Sequence, residues 1–288
     1  EAFRELINRP EGILLVTGPT GSGKTSTLYA ALAEIAEKGK NIITIEDPVE
    51  YWLPGVNQGQ TNHKSGFTFA RGMRAILRQD PDVIMVGEIR DSETLETAIE
   101  AALTGHLVMS TLHTNSAMAT VARLLEMGLE PYLLASAVTG ILAQRLVRRI
   151  CERCKEPIPT PLELRHLFQG EVPATIYRGI GCDDCRGTGF LGRQGIFELL
   201  VLTDELRVMM HERASEIELT EVAKRSGMTT LRDACLARVA DGTTTLEEVI
   251  RVTKAGRDDG TQKTPAPKSS TPYPQPNDLA ARTSTAGP

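Results

Sequence analysis

The stretch GILLVTGPTGSGKT, residues 12–25, decides the fold. Its first half is an unbroken apolar run of strand length. Its second half fits G-x-x-x-x-G-K-[ST] at Gly18, Gly23, Lys24 and Thr25, and a helical pattern follows. Strand, glycine loop and helix in that order form a cradle for phosphate. Gly18, Gly21 and Gly23, with Pro19, Thr20 and Ser22 between them, let the backbone curl so that successive N–H groups point inward. The helix start adds positive potential. Lys24 is placed to reach the β- and γ-phosphates, and Thr25 to hold Mg²⁺.

Outward from this loop, apolar strands are expected over 13–17, 42–45, 83–86 and 107–111. Helices are expected over 25–37, 69–78, 92–104, 116–125 and 131–147. Apolar strands interleaved with helices imply an α/β fold with a parallel central sheet covered on both faces. Residues 203–252 are helical in pattern, with capping-box signals at Ser215/Glu218 and Thr245/Glu248.

In an open parallel sheet, ligands sit at the carboxyl ends of the strands. Acids fall at two of those ends: Glu46, Asp47 and Glu50 after one strand, Glu88 after another. Phosphoryl transfer to water needs one carboxylate for the water and one for the metal. His113 ends a further strand, and His106 precedes it. Arg71, Arg74 and Arg78 share one helix face, which is either a solvated basic face or a set of arginine fingers for a neighbouring subunit's phosphates.

The 288-residue chain is 41% hydrophobic and 24% charged, with a net charge of −5. Length suggests about two domains, and the negative balance disfavours a nucleic-acid clamp. No apolar run approaches the ~18 residues of a membrane-spanning helix, and no signal peptide is visible. Residue 1 is Glu, so the sequence reads as part of a longer protein. The Pro-, Ser- and Thr-rich stretch 256–288 is expected to be disordered.

Four of the five cysteines, Cys151, Cys154, Cys182 and Cys185, form C-x₂-C-x₂₇-C-x₂-C. Without a secretory context, paired cysteines favour metal over disulfide. Four thiolates close a tetrahedral shell and suit structural zinc; a redox pair or an iron–sulfur cluster are the competing readings. CDDCRGTG also has the form of the chaperone zinc modules. Cys235 lies in a helix pattern and reads as a small buried apolar residue.

Taken in order, GPTGSGKT, IITIEDPVE, RAILRQDPDVIMVGEIRD, TGHLVMSTLHTN and GRQGIFELL closely resemble the secretion-superfamily ATPases of type II secretion and type IV pilus assembly, the GspE/PilB family. The likeness covers about residues 1–252. It implies a RecA-like P-loop ATPase core over 1–147, a tetracysteine zinc-binding element over 148–202 and a C-terminal helical subdomain over 203–255. It also implies a preceding domain that this sequence does not contain. By resemblance, Glu50 polarises the attacking water and Glu88 is the acid near magnesium; Gly87-Glu88 stands where many P-loop proteins place Asp-Glu, a departure that favours a water-mediated role for Glu88. Arg74 and Arg78 contact phosphate, and His106 and His113 are the histidine pair. The implied cofactors are ATP, Mg²⁺ and Zn²⁺.

The implied assembly is a homo-hexameric ring on the cytoplasmic side of the inner membrane, working on a membrane platform protein and touching the bilayer only through it. The tetracysteine element points to an assembly motor rather than a retraction motor. A DNA-processing or conjugation-type motor is the rival reading. It would need a basic stripe, for which only QRLVRRICERCK offers material. A non-catalytic nucleotide-binding scaffold is disfavoured by intact Lys24, Glu50 and Glu88.

Overall fold

The computed structural model describes residues 1–168 and 172–254; the stretch expected to be disordered lies outside them. The elements run α1 (Ala2–Ile7), β1 (Gly12–Thr17), α2 (Lys24–Ala36), β2 (Ile42–Glu46), β3 (Asn57–Gln60), α3 (Phe69–Ile76), β4 (Val83–Val86), α4 (Ser92–Leu103), β5 (Leu107–Leu112), α5 (Ala117–Glu126) and α6 (Pro131–Ala137). They continue through β6 (Val138–Ile150), β7 (Lys155–Pro159), β8 (Thr175–Gly179), β9 (Phe190–Val201), α7 (Asp204–His211), α8 (Glu216–Arg225), α9 (Leu231–Ala240) and α10 (Leu246–Lys254).

A seven-stranded sheet in the order β3-β2-β4-β5-β1-β6-β9 forms the centre. All pairs are parallel except β6 with β9. In β1, Ile13 and Leu15 enter one core while Leu14 and Val16 enter another. Successive strand residues point to opposite faces, so an unbroken apolar strand is what a sheet covered on both sides demands. The four side chains are at most 1% exposed, each contributing roughly 1.5–3 kcal/mol of transfer free energy. Helices α1 and α2 cover the Leu14 face. Helices α3 to α10 share the core on the Ile13 face, with α9 and α10 packed directly on β6 and α9 also on β9.

Two expectations change. The helix expected over 131–147 ends at Ala137, and residues Val138–Ile150 form a 13-residue strand between β1 and β9. Its first eight residues are all buried, which a one-sided helix stripe does not allow. Thr139 at its start favours strand, and Gly140 disfavours helix. The capping box at Thr245 does not form. Thr245 Oγ1 is buried without a partner among the described residues, and Glu248 turns instead to Arg148 and Arg251. The box at Ser215 does form.

Candidate nucleotide cleft and cysteine centre

Strand register brings the loop and the acids together. Thr17 of β1 lies opposite Leu112 of β5, Ser110 of β5 opposite Val86 of β4, and Val86 opposite Ile45 of β2. The residues that follow these positions meet at one edge. A cleft of about 570 Å³ there is lined by Thr20–Ser26, Glu46, Asp47, Glu50, Glu88 and His113, among others.

The loop has the backbone its glycines imply: Gly21 at φ 77° and Gly23 at φ 87°, a region costly for residues with a Cβ. A Cβ on Gly23 would also lie 2.9 Å from Gln144 Nε2. Gly23 caps α2 without a side-chain bond, which leaves the first N–H groups of that helix for a ligand. Helices α4 and α5, by contrast, are capped by Asp91 and Ser116. Ser22 Oγ is buried in the loop with no partner among the described residues. Lys24 Nζ folds onto the loop, donating to Gly18 O at 2.8 Å and Pro19 O at 3.2 Å. Burial lowers the Lys24 pKa and nearby Arg145 adds to the effect, while Glu88 opposes it. An orphaned hydroxyl, free helix amides and a half-desolvated ammonium fit a phosphate chain.

Glu88 is only 13% exposed; it pairs with Arg90 and, at 3.4 Å, with His113 Nε2. With Thr25 across the same cleft, its carboxylate suits a Mg²⁺ site. Glu50 is exposed on the wall of the cleft. Its backbone is held by Tyr29, whose Oη accepts from Glu50 N at 3.3 Å and donates to the buried Glu46 carboxylate. Burial, and then that bond to Glu46, raise the Tyr29 phenol above its ordinary pKa. Gln58 completes the cluster, donating to Glu46 Oε1 at 3.1 Å.

Four of the residues singled out from sequence lie elsewhere. His106 stands at the amino end of β5, where its Nδ1 bonds Ala101 O at 2.9 Å at the end of α4. Arg74 pairs with Glu93. Arg78 follows α3 on the exposed face it shares with Arg71 and Arg74, and none of the three arginines lines the cleft. Sequence reading does not single out Tyr29, Gln58, Gln144, Arg145 or Glu198. The visible signal is the polar pair Gln-Arg inside the apolar run ILAQRLV, which a strand buried on both faces must satisfy internally.

Beyond Ile150 the four cysteines gather, with all ligand atoms within 4.8 Å of one another. Three Sγ···Sγ separations are 3.8, 3.8 and 3.7 Å. A tetrahedron of ~2.3 Å zinc–thiolate bonds has edges of roughly 3.8 Å. The donor set and spacing therefore fit zinc. Backbone N–H groups of Cys182 and Gly189 both donate to Cys185 Sγ at 3.2 Å. Against desolvation, which raises it, these bonds hold the Cys185 thiol down to about 6. The flanking glycines let two backbones approach closely, since a Cβ on Gly179 would sit 2.0 Å from Gly189 O. Cys235 is fully buried in α9, as its helix pattern implied.

Residues 1–251 match the family described as type II/IV secretion system protein. The chain belongs to that family. It is 54% identical over 253 residues to type II secretion system protein E of Pseudomonas aeruginosa, covering 87% of this chain and 50% of that protein. It is 55% identical over 254 residues to the type IV pilus assembly ATPase PilB of Thermus thermophilus, covering 87% of this chain and 29% of that protein. The chain thus spans about half the length of its type II secretion relatives and less of PilB. Among solved structures, the pilus retraction motor PilT with bound ADP superposes with a TM-score of 0.68 at 33% identity, over 88% of this chain and 64% of that one. The RecA-like α/β reading of the secretion ATPase family agrees with this likeness. Among the described residues, no helix is long and apolar enough to cross a membrane.

Proposed function

We propose that this chain is the ATP-hydrolysing part of a ring-shaped, homo-hexameric motor for type II secretion or type IV pilus assembly. The reading rests on one observation: Lys24, Glu50, Glu88 and His113 line a single cleft at the carboxyl ends of four adjacent strands. Lys24 leaves the loop carbonyls to meet β- and γ-phosphate oxygens, and the amides of Gly21, Gly23, Lys24 and Thr25 enclose the chain. Thr25 and, through water, Glu88 would hold Mg²⁺, which would supply charge neutralisation at the phosphoryl group. Glu50 orients the attacking water. His113, 3.4 Å from the Glu88 carboxylate, faces the γ-phosphate and registers its loss. Arg74 and Arg78, on an exposed face outside the cleft, act on a neighbouring subunit's nucleotide.

Cys151, Cys154, Cys182 and Cys185 would hold zinc, which would supply a staple for the β7–β8 projection. The ring sits on the cytoplasmic side of the inner membrane and acts on a platform protein there; its membrane contact is indirect. The one locally basic run offers little to nucleic acid, which weighs against a DNA motor. Arg145 is buried, Arg148 pairs with Glu248, and Arg153 pairs with Asp184.

Phosphate release by the full-length hexamer with Mg-ATP tests the reading. Lys24→Ala should abolish nucleotide binding, and Glu88→Gln should bind nucleotide but release phosphate at least ~100-fold more slowly. Equal rates for wild type and Glu88→Gln would leave only a scaffold. Capture of an inner-membrane platform protein by the hexamer tests the partner.

A further inference from the structure

Strand β6 carries two polar residues in its apolar half, Gln144 and Arg145, 3% and 4% exposed. Consecutive strand residues point to opposite faces, and their bonds follow that rule. Gln144 serves the α2 face: its Nε2 donates to Ser22 O at 2.8 Å, and its Oε1 accepts from Thr27 at 2.8 Å. Arg145 serves the other face: its Nη2 donates to Asn115 O at 2.7 Å and to Asn115 Oδ1 at 3.1 Å. Asn115 stands two residues beyond His113. Two residues further, Ala117 N at the start of α5 donates to Glu198 Oε1 at 2.7 Å. The second oxygen of that carboxylate accepts from Leu231 N, the first residue of α9, at 3.0 Å. Segment 113–117 is therefore held in the middle by Arg145 and at its end by Glu198, with His113 at its mouth in the cleft.

This is a costly way to stabilise a core. Arg145 makes no ion pair among the described residues, its Nε is buried without a partner, and desolvation lowers its pKa against the more distant Glu198. An apolar residue of similar volume would pack there with less penalty. What the arrangement supplies is position: one arm of the guanidinium, Nη2, holds Asn115 while the other, Nη1, donates to Gln144 O at 3.0 Å, so the planar fork fixes the segment against β6, and one carboxylate ties two helix starts to each other.

We propose that Arg145 and Glu198 are positioning residues, which set His113 in the cleft and connect that segment to the start of α9. The proposal rests on the nucleotide reading of the cleft. Loading of the loop moves Ser22 and Lys24 against Gln144 and Arg145. Displacement of segment 113–117 then pulls on Ala117, and through Glu198 on Leu231. The C-terminal helices are thereby informed of the cleft's state by contact, without meeting the nucleotide.

The test uses the full chain with Glu198→Gln and Arg145→Lys. Glutamine keeps the shape of Glu198 but has one acceptor oxygen for two helix N–H groups. Lysine keeps the charge of Arg145 but loses the fork. Phosphate release is measured together with backbone amide exchange, with and without Mg²⁺ and a non-hydrolysable ATP analogue. In wild type, the analogue should slow exchange over both 18–27 and 231–235. In Glu198→Gln the first response should persist and the second disappear. In both variants kcat should fall roughly 10- to 100-fold, with KM within about two-fold, because positioning is lost and not the phosphate cradle. Wild-type kcat in both variants, or a response at 231–235 that survives Glu198→Gln, overturns the proposal. If Glu198→Gln does not fold, a wild type that slows over 18–27 but not over 231–235 overturns it alone. A wild type with no response over 18–27 refutes the nucleotide reading instead.

Discussion

Replacing Glu248 by glutamine keeps the volume of a side chain that is 1% exposed and removes its charge. Glu248 lies on α10 and accepts from Arg148 N at 2.8 Å, Arg148 Nε at 3.0 Å, and Arg251 Nη2 at 2.7 Å and Nε at 2.9 Å. Burial pushes its pKa up. The bonds from Arg251 and from the Arg148 backbone and guanidinium more than offset this, and hold the carboxyl down to about 2 from an ordinary 4.5. At ~1.4 kcal/mol per pH unit, that depression corresponds to roughly 3 kcal/mol of native-state stability. Breaking a buried pair costs roughly 3–5 kcal/mol. The two guanidiniums remain 52% and 54% exposed and keep much of their hydration, so the lower end applies and the two figures agree. For a domain of this size about 2–4 °C accompanies each kcal/mol. Glu248→Gln should therefore lower Tm by roughly 6–12 °C at pH 7, measured by circular dichroism. The sign with pH follows from the depressed value: the stabilisation is complete above about 4.5 and is lost as pH falls through about 2. The gap between wild type and variant should accordingly close on acidification. A Tm within about 2 °C of wild type at pH 7, or a gap that widens as pH falls, would refute the reasoning.

Three further outcomes are expected. Purified protein should carry one zinc per chain by mass spectrometry of the metals, and Cys185→Ser should lose it and become protease-sensitive across 151–189; full metal content in that variant would contradict the tetrahedral reading. Gly179→Ala should have the same consequence without touching a ligand, because its Cβ would lie 2.0 Å from Gly189 O; retained zinc and an unchanged Tm would show that the two strands part cheaply. Tyr29→Phe removes the hydroxyl that joins Glu46 to Glu50 N. It should destabilise by about 1–2 kcal/mol in urea unfolding and slow phosphate release more than it weakens ATP binding; a change in binding alone would place Tyr29 outside the water-positioning cluster.

The phosphate loop, strands β1, β2, β4 and β5 and the four cysteines are legible because each is written in local chemistry. Gly21 and Gly23 announce positive φ, Lys24 and Thr25 follow at fixed offsets, and the runs ILLV and VIMV are too apolar to face water. Strand β6 reads as the end of a helix because periodicity in VTGILAQRLV cannot separate a strand buried on both faces from a buried helix. What makes it a strand is the company of β1 and β9, the latter some fifty residues away in sequence. The arginines of α3 do share one face, as their spacing implies, but that face turns outward and Arg74 finds Glu93.

By itself, then, the sequence determined which backbone could curl around phosphate, which segments had to be buried, and which atoms were available as metal donors. Those properties depend on a residue and its near neighbours along the chain. Only the tertiary structure decided that Glu88 meets His113, that Tyr29 holds the Glu50 backbone, and that Glu198 joins the starts of α5 and α9. Such meetings follow from the strand order β3-β2-β4-β5-β1-β6-β9 and its register, which packing across the whole sheet selects and no short stretch encodes.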